Sequence, residues 1–568
     1  MIQPSFQTRI RIVAICVFLV AVVFLVRLFS LQIINKNFYA EKADRQYVTP
    51  SGNVFSRGDI FFSRKDNSLV SAASVTTGFK IAINPKKIKD EKEVYKKLEP
   101  YLKIDEEAFL SKASRKDDPY EEVAFGLTKE QVTEIEALKI DGLSTYKQNW
   151  RNYPSGNLAS HMIGFLAYKG DDLVGQYGLE RYYDDVLSKP KDEAYVNFFA
   201  EVFSNIKDSF SDTAKGDIVT TIEPIVEHAL QKELESIMET WTADQAGGII
   251  INPMNGEIYA AAGLPDFDLN NFKNVKDVGV YRNPLIENVF EFGSVIKPLV
   301  VAGALDAGVI TPKTQYYDSG SVVVDKKVIN NFDKKGRGTV TMQEVLNQSL
   351  NTGMVFIEQK LGHEKFRNYM KSYGLGEKTG IDLPNETSGL IRNLESPRNI
   401  EYANASFGQG IAVTPIEAVR AFSILANGGN MITPHLVKEI KYENGLSKKI
   451  EHSYAKTNIL SKETTDTITE MLIKVYESYD SGRHKIPRYT VATKTGTAQV
   501  AKETGGGYYD DRNMHSFFGY FPARDPKFLI FLYVKNPKGV KYASQTLIPP
   551  FNSLTKFLIN YYNLPPDR

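Results

Sequence analysis

The chain has 568 residues, which is long enough for three or four domains of ordinary size. Hydrophobic residues make up 42% and charged residues 24%, so a disordered chain, a collagen and a continuous coiled coil are excluded. The 69 basic and 68 acidic residues give a net charge of +1, which does not support a general nucleic-acid binder. The single cysteine, Cys16, excludes a disulfide framework and a cysteine-ligated metal site.

An apolar segment lies close to the N-terminus. Residues 12–26 carry no charge, and the apolar character continues past Arg27 to residue 34, long enough to cross a ~30 Å hydrocarbon core if Arg27 reaches the interface. A cleaved signal peptide is the alternative, but no small-residue cleavage site follows. A buried core helix is disfavoured because the segment is apolar all round. We predict a single transmembrane anchor over 12–34 in the cytoplasmic (inner) membrane, a cytoplasmic tail over 1–11 and the bulk of the chain on the extracytoplasmic side. The charges alone leave the orientation open, because Arg27, Lys36, Lys42 and Arg45 follow the apolar segment and blur the count of basic residues on its two sides.

The rest of the chain divides by its texture into 35–214, mixed and rather charged, and 215–568. In the second part, periodicity predicts a strand over 218–222 and a helix over 225–241. Two further strands, 247–251 and 257–261, flank the turn signal Asn255-Gly256. After a helix-rich stretch, strands are predicted over 491–500, 514–521 and 528–534, with a helix near the C-terminus. This order predicts an α+β domain with a central antiparallel sheet packed by helices.

Ser294 and Lys297 form the first candidate site. Residues three apart on a helix share a face, so a lysine amine with a lowered pKa could take the proton of the serine hydroxyl. The Ser-x-x-Lys spacing alone is weak, since it recurs elsewhere in the chain, for example at Ser553. The context distinguishes Ser294, because Gly293 permits a tight entry to a helix and an apolar run follows Pro298.

Ser349-Leu350-Asn351 is the second candidate. It offers a hydroxyl that could pass on a proton and a carboxamide that could hold a substrate amide. Taken alone, such a segment is more often an ordinary polar turn.

The third candidate is Lys494-Thr495-Gly496-Thr497, within a predicted strand. Lys494 and Thr495 could bind a carboxylate, Gly496 would let a ligand backbone approach, and backbone N–H groups could serve an oxyanion. Residues 378–380 also read Lys-Thr-Gly, but their neighbours indicate a loop, so we discount them.

The order and spacing of the three segments are far more specific than any one of them. Ser349 follows Ser294 by 55 residues, and Lys494 follows Asn351 by 143. The chain thereby resembles the penicillin-binding proteins, whose signatures are S-x-x-K, S-x-N/D and K-T-G. Segments upstream, namely 57–60, 161–165, 178–180 and 183–184, resemble the elongated, mixed α/β, non-catalytic pedestal of class B members, which we place over 35–214. The transpeptidase domain is then 215–568.

The resemblance implies a reaction at Ser294. This residue would attack the carbonyl of a terminal D-Ala-D-Ala bond, expel D-Ala and form an acyl-enzyme that a second stem peptide resolves into a cross-link. Lys297 is the implied base, with a pKa lowered by the neighbouring charge of Lys494. Ser349 would relay a proton to the leaving amine, and Asn351 would orient the peptide.

The resemblance also implies how the ligand is held. Lys494, Thr495 and Thr497 would bind the substrate carboxylate beside Gly496. The backbone N–H groups of Ser294 and Thr497 would form the oxyanion hole. β-Lactams would imitate the substrate as inhibitors, and the scheme needs no metal or organic cofactor.

The leading interpretation is a class B peptidoglycan D,D-transpeptidase. The alternatives are a D,D-carboxypeptidase, a protein that hydrolyses or senses β-lactams, and a catalytically silent wall-synthesis scaffold. The expected partner is a polytopic membrane glycosyltransferase of the shape, elongation or division type. A compact pedestal slightly favours a division role over elongation. His515, on a predicted strand near the catalytic one, either lines the site or is structural.

Overall fold

The computed structural model describes residues 55–102, 104–170, 172–188, 215–451, 453–502 and 506–568. The predicted tail over 1–11 and anchor over 12–34 lie outside the described residues. Within the described ranges, no helix is both long and apolar enough to cross a bilayer. The predicted boundary at 214/215 stays a prediction, since 189–214 are also outside the described part of the chain.

The described chain before residue 189 alternates strands with short helices. Its elements are β1 (Ile60–Ser63), β2 (Leu69–Ile83), α1 (Glu91–Leu98), α2 (Glu106–Ala113), β3 (Glu121–Leu127), α3 (Lys129–Ala137), β4 (Leu143–Asn152), α4 (Ser160–Ile163), β5 (Leu166–Lys169), β6 (Asp172–Gly175), α5 (Gly178–Tyr182) and α6 (Asp184–Leu187). Good caps define several of the helices, for instance the Thr128 and Gln131 capping box that starts α3.

The described chain from residue 215 has strands at both ends and helices between them. The first elements are β7 (Gly216–Thr220), α7 (Pro224–Trp241), β8 (Gln245–Ile251), β9 (Ile258–Leu264), α8 (Lys297–Asp306), β10 (Gln315–Asp318), β11 (Ser321–Val324), β12 (Lys327–Asn330), β13 (Gly338–Thr341), α9 (Met342–Asn347), α10 (Asn351–Leu361), α11 (His363–Ser372) and α12 (Asn399–Ala405). The remaining elements are α13 (Pro415–Ala426), β14 (Val437–Tyr442), β15 (Ser447–Lys449), α14 (Lys462–Ser478), β16 (Ala492–Ala501), β17 (Tyr508–Phe521), β18 (Phe528–Lys535) and α15 (Ala543–Tyr562).

The chain forms two compact units, and the described residues of the smaller one are 55–56, 77–102 and 104–150. In it, β3 pairs antiparallel with β2 from Phe79 to Ile83. Helices α1, α2 and α3 bury their apolar faces in one core, for which Leu98, Phe109 and Ile135 supply buried side chains. This unit therefore has a mixed α/β core of its own.

The larger unit contains the described residues 57–76, 151–188 and 215–568. Its central sheet has the strand order β16-β17-β18-β8-β9, and every neighbouring pair is antiparallel. Helices pack on this antiparallel sheet, as the sequence predicts. Strand β16 lies at one edge of this sheet.

Alternating side chains of the central sheet enter two different cores, because successive strand residues point to opposite faces. Phe517 packs with the helices α7 and α15, whereas Phe518 stacks on Phe422 of α13 at a ring distance of 4.1 Å. Helix α8 lies on the second side and is buried from Lys297 through Ala304. A helix apolar all round belongs in a core, and this one carries Lys297 into it.

A buried ion cluster accounts for three of the upstream segments noted in the sequence. Glu180 accepts from the Arg57 guanidinium at 2.6 Å and from that of Arg151 at 2.6 Å, and all three side chains are buried. Arg57 also contacts Asp184 at 2.8 Å. A buried carboxylate held by two guanidinium groups is fully paired, whereas the loss of one partner would leave a charge in the core.

Candidate active site

Ser294 lies on a tight turn directly before helix α8. The turn is a 3₁₀ segment, Gly293–Ile296, and α8 begins at Lys297, so the predicted single helix is a turn followed by a helix. Gly293 has φ +65°, a conformation that favours glycine. Ser294 is partly exposed between buried neighbours. The candidate nucleophile, Ser294, is therefore accessible to solvent although the residues on both sides of it are buried.

The Lys297 amine points to the second predicted segment. Its side chain is 0% exposed, and Nζ donates to Ser349 O at 2.6 Å, Asn351 Oδ1 at 2.8 Å and Ser349 Oγ at 3.2 Å. Within the described part of the chain, Ser294 Oγ makes no hydrogen bond to this amine. The structure thus brings Lys297, Ser349 and Asn351 together, and Ser294 lies three residues before Lys297 on the preceding turn.

Lys494 approaches Ser349 as well. Its Nζ donates to Ser349 Oγ at 3.1 Å and to Thr495 O at 3.0 Å, so the Ser349 hydroxyl lies within 3.2 Å of two lysine amines. Ser349 holds φ +53°, a left-handed conformation that is rare for serine and is a form of backbone strain found at functional sites. The strained backbone presents this hydroxyl between Lys297 and Lys494.

Burial lowers the pKa of both lysines. The pKa of Lys297 falls well below its ordinary value, first through burial and then through the charge of Lys494. Burial lowers the pKa of Lys494 to about 7, and this side chain is 1% exposed. The charge of Lys494 acts in the direction that the sequence predicts, and burial is the larger cause. Burial therefore favours the neutral form of the Lys297 amine, which is the form that a general base needs.

Strand β16 presents the third predicted segment at the sheet edge. The N–H of Thr495 donates to the Tyr479 hydroxyl at 3.1 Å, away from β17. Since outward-pointing groups alternate along a strand, the N–H and C=O of Thr497 also point outward. Thr497 Oγ1 accepts from the N–H of Ala543 at 3.2 Å. Outward backbone groups at Thr497 are suited to a ligand that adds to this edge.

The fold requires Gly496 for a reason that the sequence does not show. A Cβ at this position would lie 2.4 Å from Phe292 O and 2.3 Å from Ser516 Oγ. The missing side chain would face the turn that carries Ser294. Gly496 therefore lets β16 pack directly against the turn that carries Ser294.

Two further sequence observations are resolved by the structure. His515 is buried, with its ring nitrogens 2.9 Å from Thr546 Oγ1 and 3.1 Å from Lys541 O, so its contacts are structural. The second Lys-Thr-Gly segment, 378–380, is a loop: Glu386 accepts from the N–H and the hydroxyl of Thr379, both at 2.6 Å.

Sequence reasoning missed residues that support the site. Tyr479 lies outside all three motifs, and Asn331 precedes Asn351 by 20 residues. Nothing in their local sequence marks either residue, because each acts by a contact that forms only in the folded chain.

Two family models match the chain along most of its length. Residues 54–201 match the penicillin-binding protein dimerisation domain, and residues 246–554 match the penicillin-binding protein transpeptidase domain. The chain belongs to the penicillin-binding protein transpeptidase family. The recognition made from the three motifs is therefore confirmed, as is the interpretation of the chain as a serine-type acyl-transfer enzyme.

Two named relatives align with most of this chain. Stage V sporulation protein D of Bacillus subtilis is 32% identical over 502 residues, which cover 87% of this chain and 76% of that protein. The peptidoglycan D,D-transpeptidase FtsI of Buchnera aphidicola is 26% identical over 571 residues, covering 98% and 96%.

Solved structures share the fold. Penicillin-binding protein 2X of Streptococcus thermophilus superposes with a TM-score of 0.71 at 22% identity, covering 90% of this chain and 80% of that one. Penicillin-binding protein 3 of Mycobacterium tuberculosis, complexed with aztreonam, gives 0.68 at 20% identity, covering 90% and 98%.

Proposed function

We propose that this penicillin-binding protein is a peptidoglycan D,D-transpeptidase that cross-links stem peptides through an acyl-enzyme on Ser294. The observation that carries the proposal is the Ser349 hydroxyl lying within 3.2 Å of both buried lysine amines, beside the Ser294 turn. The name of the Buchnera relative, a peptidoglycan D,D-transpeptidase, supports the same reaction.

Acylation begins with Lys297 as the neutral base. Its amine exchanges one of its three present acceptors for Ser294 Oγ, since catalytic hydrogen bonds commonly tighten only with substrate bound. As Lys297 takes the hydroxyl proton, Ser294 Oγ bonds to the carbonyl carbon of the penultimate D-Ala and the C–N bond breaks. The departing amine of D-Ala receives a proton through Ser349, which contacts Lys297 and Lys494 at once.

The substrate's charged end is held by strand β16. Lys494 supplies an ammonium group, and Thr495 and Thr497 supply hydroxyls for the terminal carboxylate. Because Thr497 Oγ1 already accepts from Ala543 N–H, its own hydrogen is free to donate. The N–H groups of Ser294 and Thr497 stabilise the oxyanion.

An amine from a neighbouring stem peptide then attacks the ester, restores Ser294 and leaves a new peptide bond. A β-lactam acylates Ser294 in the same way, but its C–N bond is part of a ring. The amine released when the ring opens therefore stays attached to the acyl group, and this acyl-enzyme persists. Hydrolysis by water in place of the amine would make the protein a D,D-carboxypeptidase.

The cellular setting follows from the resemblance. The protein is anchored in the cytoplasmic membrane through 12–34, with a pedestal over 35–214 and the catalytic domain over 215–568 outside. It acts beside a polytopic glycosyltransferase in cell-wall synthesis, in division rather than elongation. Cell fractionation tests the anchor: the full-length protein is expected in the inner-membrane fraction, and a variant that lacks residues 1–34 is expected to be lost from it.

Intact-mass spectrometry of the purified full-length protein tests the reaction. Incubation with benzylpenicillin is expected to add one drug mass, mapped to the Ser294 peptide and absent in Ser294→Ala. The matched control is Ser553→Ala, which changes another Ser-x-x-Lys serine and keeps the adduct. No adduct on folded wild-type protein refutes the proposal, and rapid return to the free mass indicates a β-lactamase.

The transfer step needs a second assay. A donor peptide ending in D-Ala-D-Ala, supplied with an amine acceptor, is expected to release D-Ala and give the cross-linked product. Release of D-Ala with only hydrolysed donor would identify a carboxypeptidase.

A further inference from the structure

The amide of Asn351 has a fixed orientation. Its Nδ2 donates to Asn330 O at 2.9 Å, which leaves Oδ1 as the acceptor that faces the Lys297 amine at 2.8 Å. A flip of the Asn351 amide would place an N–H donor against the Lys297 ammonium. The contacts that hold Asn351 in this orientation therefore also hold its Oδ1 as a hydrogen-bond acceptor for Lys297, the proposed base.

Asn331 holds the backbone of the same residue. Its Oδ1 accepts from the N–H of Asn351 at 2.9 Å and from that of Thr352 at 3.3 Å. These are first-turn N–H groups of helix α10, which have no partner inside the helix. The N-cap residue, Leu350, makes no side-chain cap bond, so Asn331 caps α10 from another segment.

Asp318 determines which way the Asn331 amide points. Asn331 Nδ2 donates to both carboxylate oxygens of Asp318, each at 3.0 Å. An ionised carboxylate can only accept, so Asn331 must turn Nδ2 toward it and Oδ1 toward α10. The two side chains are 1% and 2% exposed, so water does not compete for these bonds.

Asp318 is itself held in place from several sides. Its Oδ1 accepts from Thr352 Oγ1 at 2.7 Å and from Gly320 N–H at 3.0 Å, and its Oδ2 accepts from Arg337 N–H at 3.1 Å. The Asp318 carboxylate thus orients the Asn331 amide, and the amide oxygen of Asn331 in turn accepts from the first N–H groups of α10.

We infer that Asp318 and Asn331 are positioning residues for the catalytic lysine. Acting through Asn351, they hold a hydrogen-bond acceptor toward the Lys297 amine and align it for proton transfer. This inference rests on the proposed function only in taking Lys297 as the base for Ser294.

Asp318→Asn in the full-length protein tests the inference, because it keeps the shape and removes the acceptor-only polarity. The rate constant for acylation by benzylpenicillin is expected to fall about 10-fold or more. The acid limb of its pH profile should move to lower pH, since the Lys297 ammonium loses an acceptor. A purely structural role would leave that limb in place.

Two further variants complete the design. The double variant Asp318→Asn with Asn331→Asp places the carboxylate directly opposite the α10 N–H groups, so it should restore the wild-type acid limb and most of the rate. Asp382→Asn is the matched control, because this buried carboxylate accepts from Leu436 N–H at 2.7 Å and Val437 N–H at 2.9 Å, outside the Lys297 network. It should lower stability and keep the wild-type limb.

Each result decides the inference. An Asp318→Asn protein with the wild-type rate and limb overturns it, as does a limb that moves equally in Asp382→Asn. If Asp318→Asn does not fold, the double variant decides, and a folded double variant without the wild-type limb overturns the inference. Failure of the proposed function is distinguishable, because wild-type protein would then form no adduct at Ser294.

Discussion

Gly496→Ala is expected to slow acylation sharply while leaving the protein folded. The new Cβ would lie 2.4 Å from Phe292 O, whereas ordinary contacts begin near 3.4 Å, so strand and turn must separate by about 1 Å. Phe292 immediately precedes the turn that carries Ser294. A displacement of ~1 Å at a reacting group can cost ~100-fold in rate, about 2.7 kcal/mol of barrier, beside ~1–3 kcal/mol of overpacking strain.

The assay is the second-order rate constant for acylation by benzylpenicillin, with thermal unfolding measured in parallel. Gly248→Ala is the matched control on β8 of the same sheet, where a Cβ would meet Leu532 Cδ2 at 2.7 Å and Leu230 Cδ1 at 2.8 Å. It should lower stability comparably and keep the acylation rate. Wild-type acylation by folded Gly496→Ala protein would refute the argument that this glycine sets the position of the turn.

Three other changes test the electrostatics. Lys494→Met should raise the pKa of Lys297 by removing a like charge, so the acid limb of penicillin acylation should move to higher pH; an unmoved limb contradicts this. Burial raises the pKa of Glu227 to about 7, so its contribution to stability is present below pH ~4 and lost as the pH rises through 7. In chemical unfolding, the free energy of unfolding of Glu227→Gln should therefore exceed that of wild type by up to ~3 kcal/mol at pH 8 and equal it near pH 4. A difference in this free energy that does not change with pH would argue against a buried neutral acid. Glu180→Gln removes the carboxylate that Arg151 and Arg57 share and leaves Arg57 with Asp184 alone, so it should cost about 3–5 kcal/mol and lower the melting temperature while acylation per folded molecule is unchanged.

The sequence predicts the sheet well because its signals are local. Strands predicted over 514–521 and 528–534 lie within β17 and β18, and the helix predicted over 225–241 is α7 with one more residue. Apolar runs bounded by turn residues carry that information in a few consecutive positions. The order of strands is long-range information, so the place of β16 at the edge appears only in the fold.

The motif residues could be predicted, but not the contacts that orient them. Spacing suggests a bond between Ser294 and Lys297, whereas the amine is directed at Ser349 and Asn351. The role of Gly496 is likewise hidden, since a strand glycine reads the same whether its bare side faces a ligand or the Phe292 carbonyl. Such roles depend on which distant segment packs against a residue.

The bond between Tyr479 and the edge of β16 limits how far a bound peptide can pair. A ligand strand lying beside Thr497 finds outward N–H and C=O groups, but at Thr495 the outward N–H is already taken by the tyrosine hydroxyl. Ligand residues beyond that point gain no hydrogen bond from the Thr495 N–H unless they displace Tyr479, and the Thr495 carbonyl already accepts from Lys494. Tyr479 therefore divides the outer edge of β16 into a part at Thr497 that is open to main-chain pairing and a part at Thr495 whose N–H is closed to it.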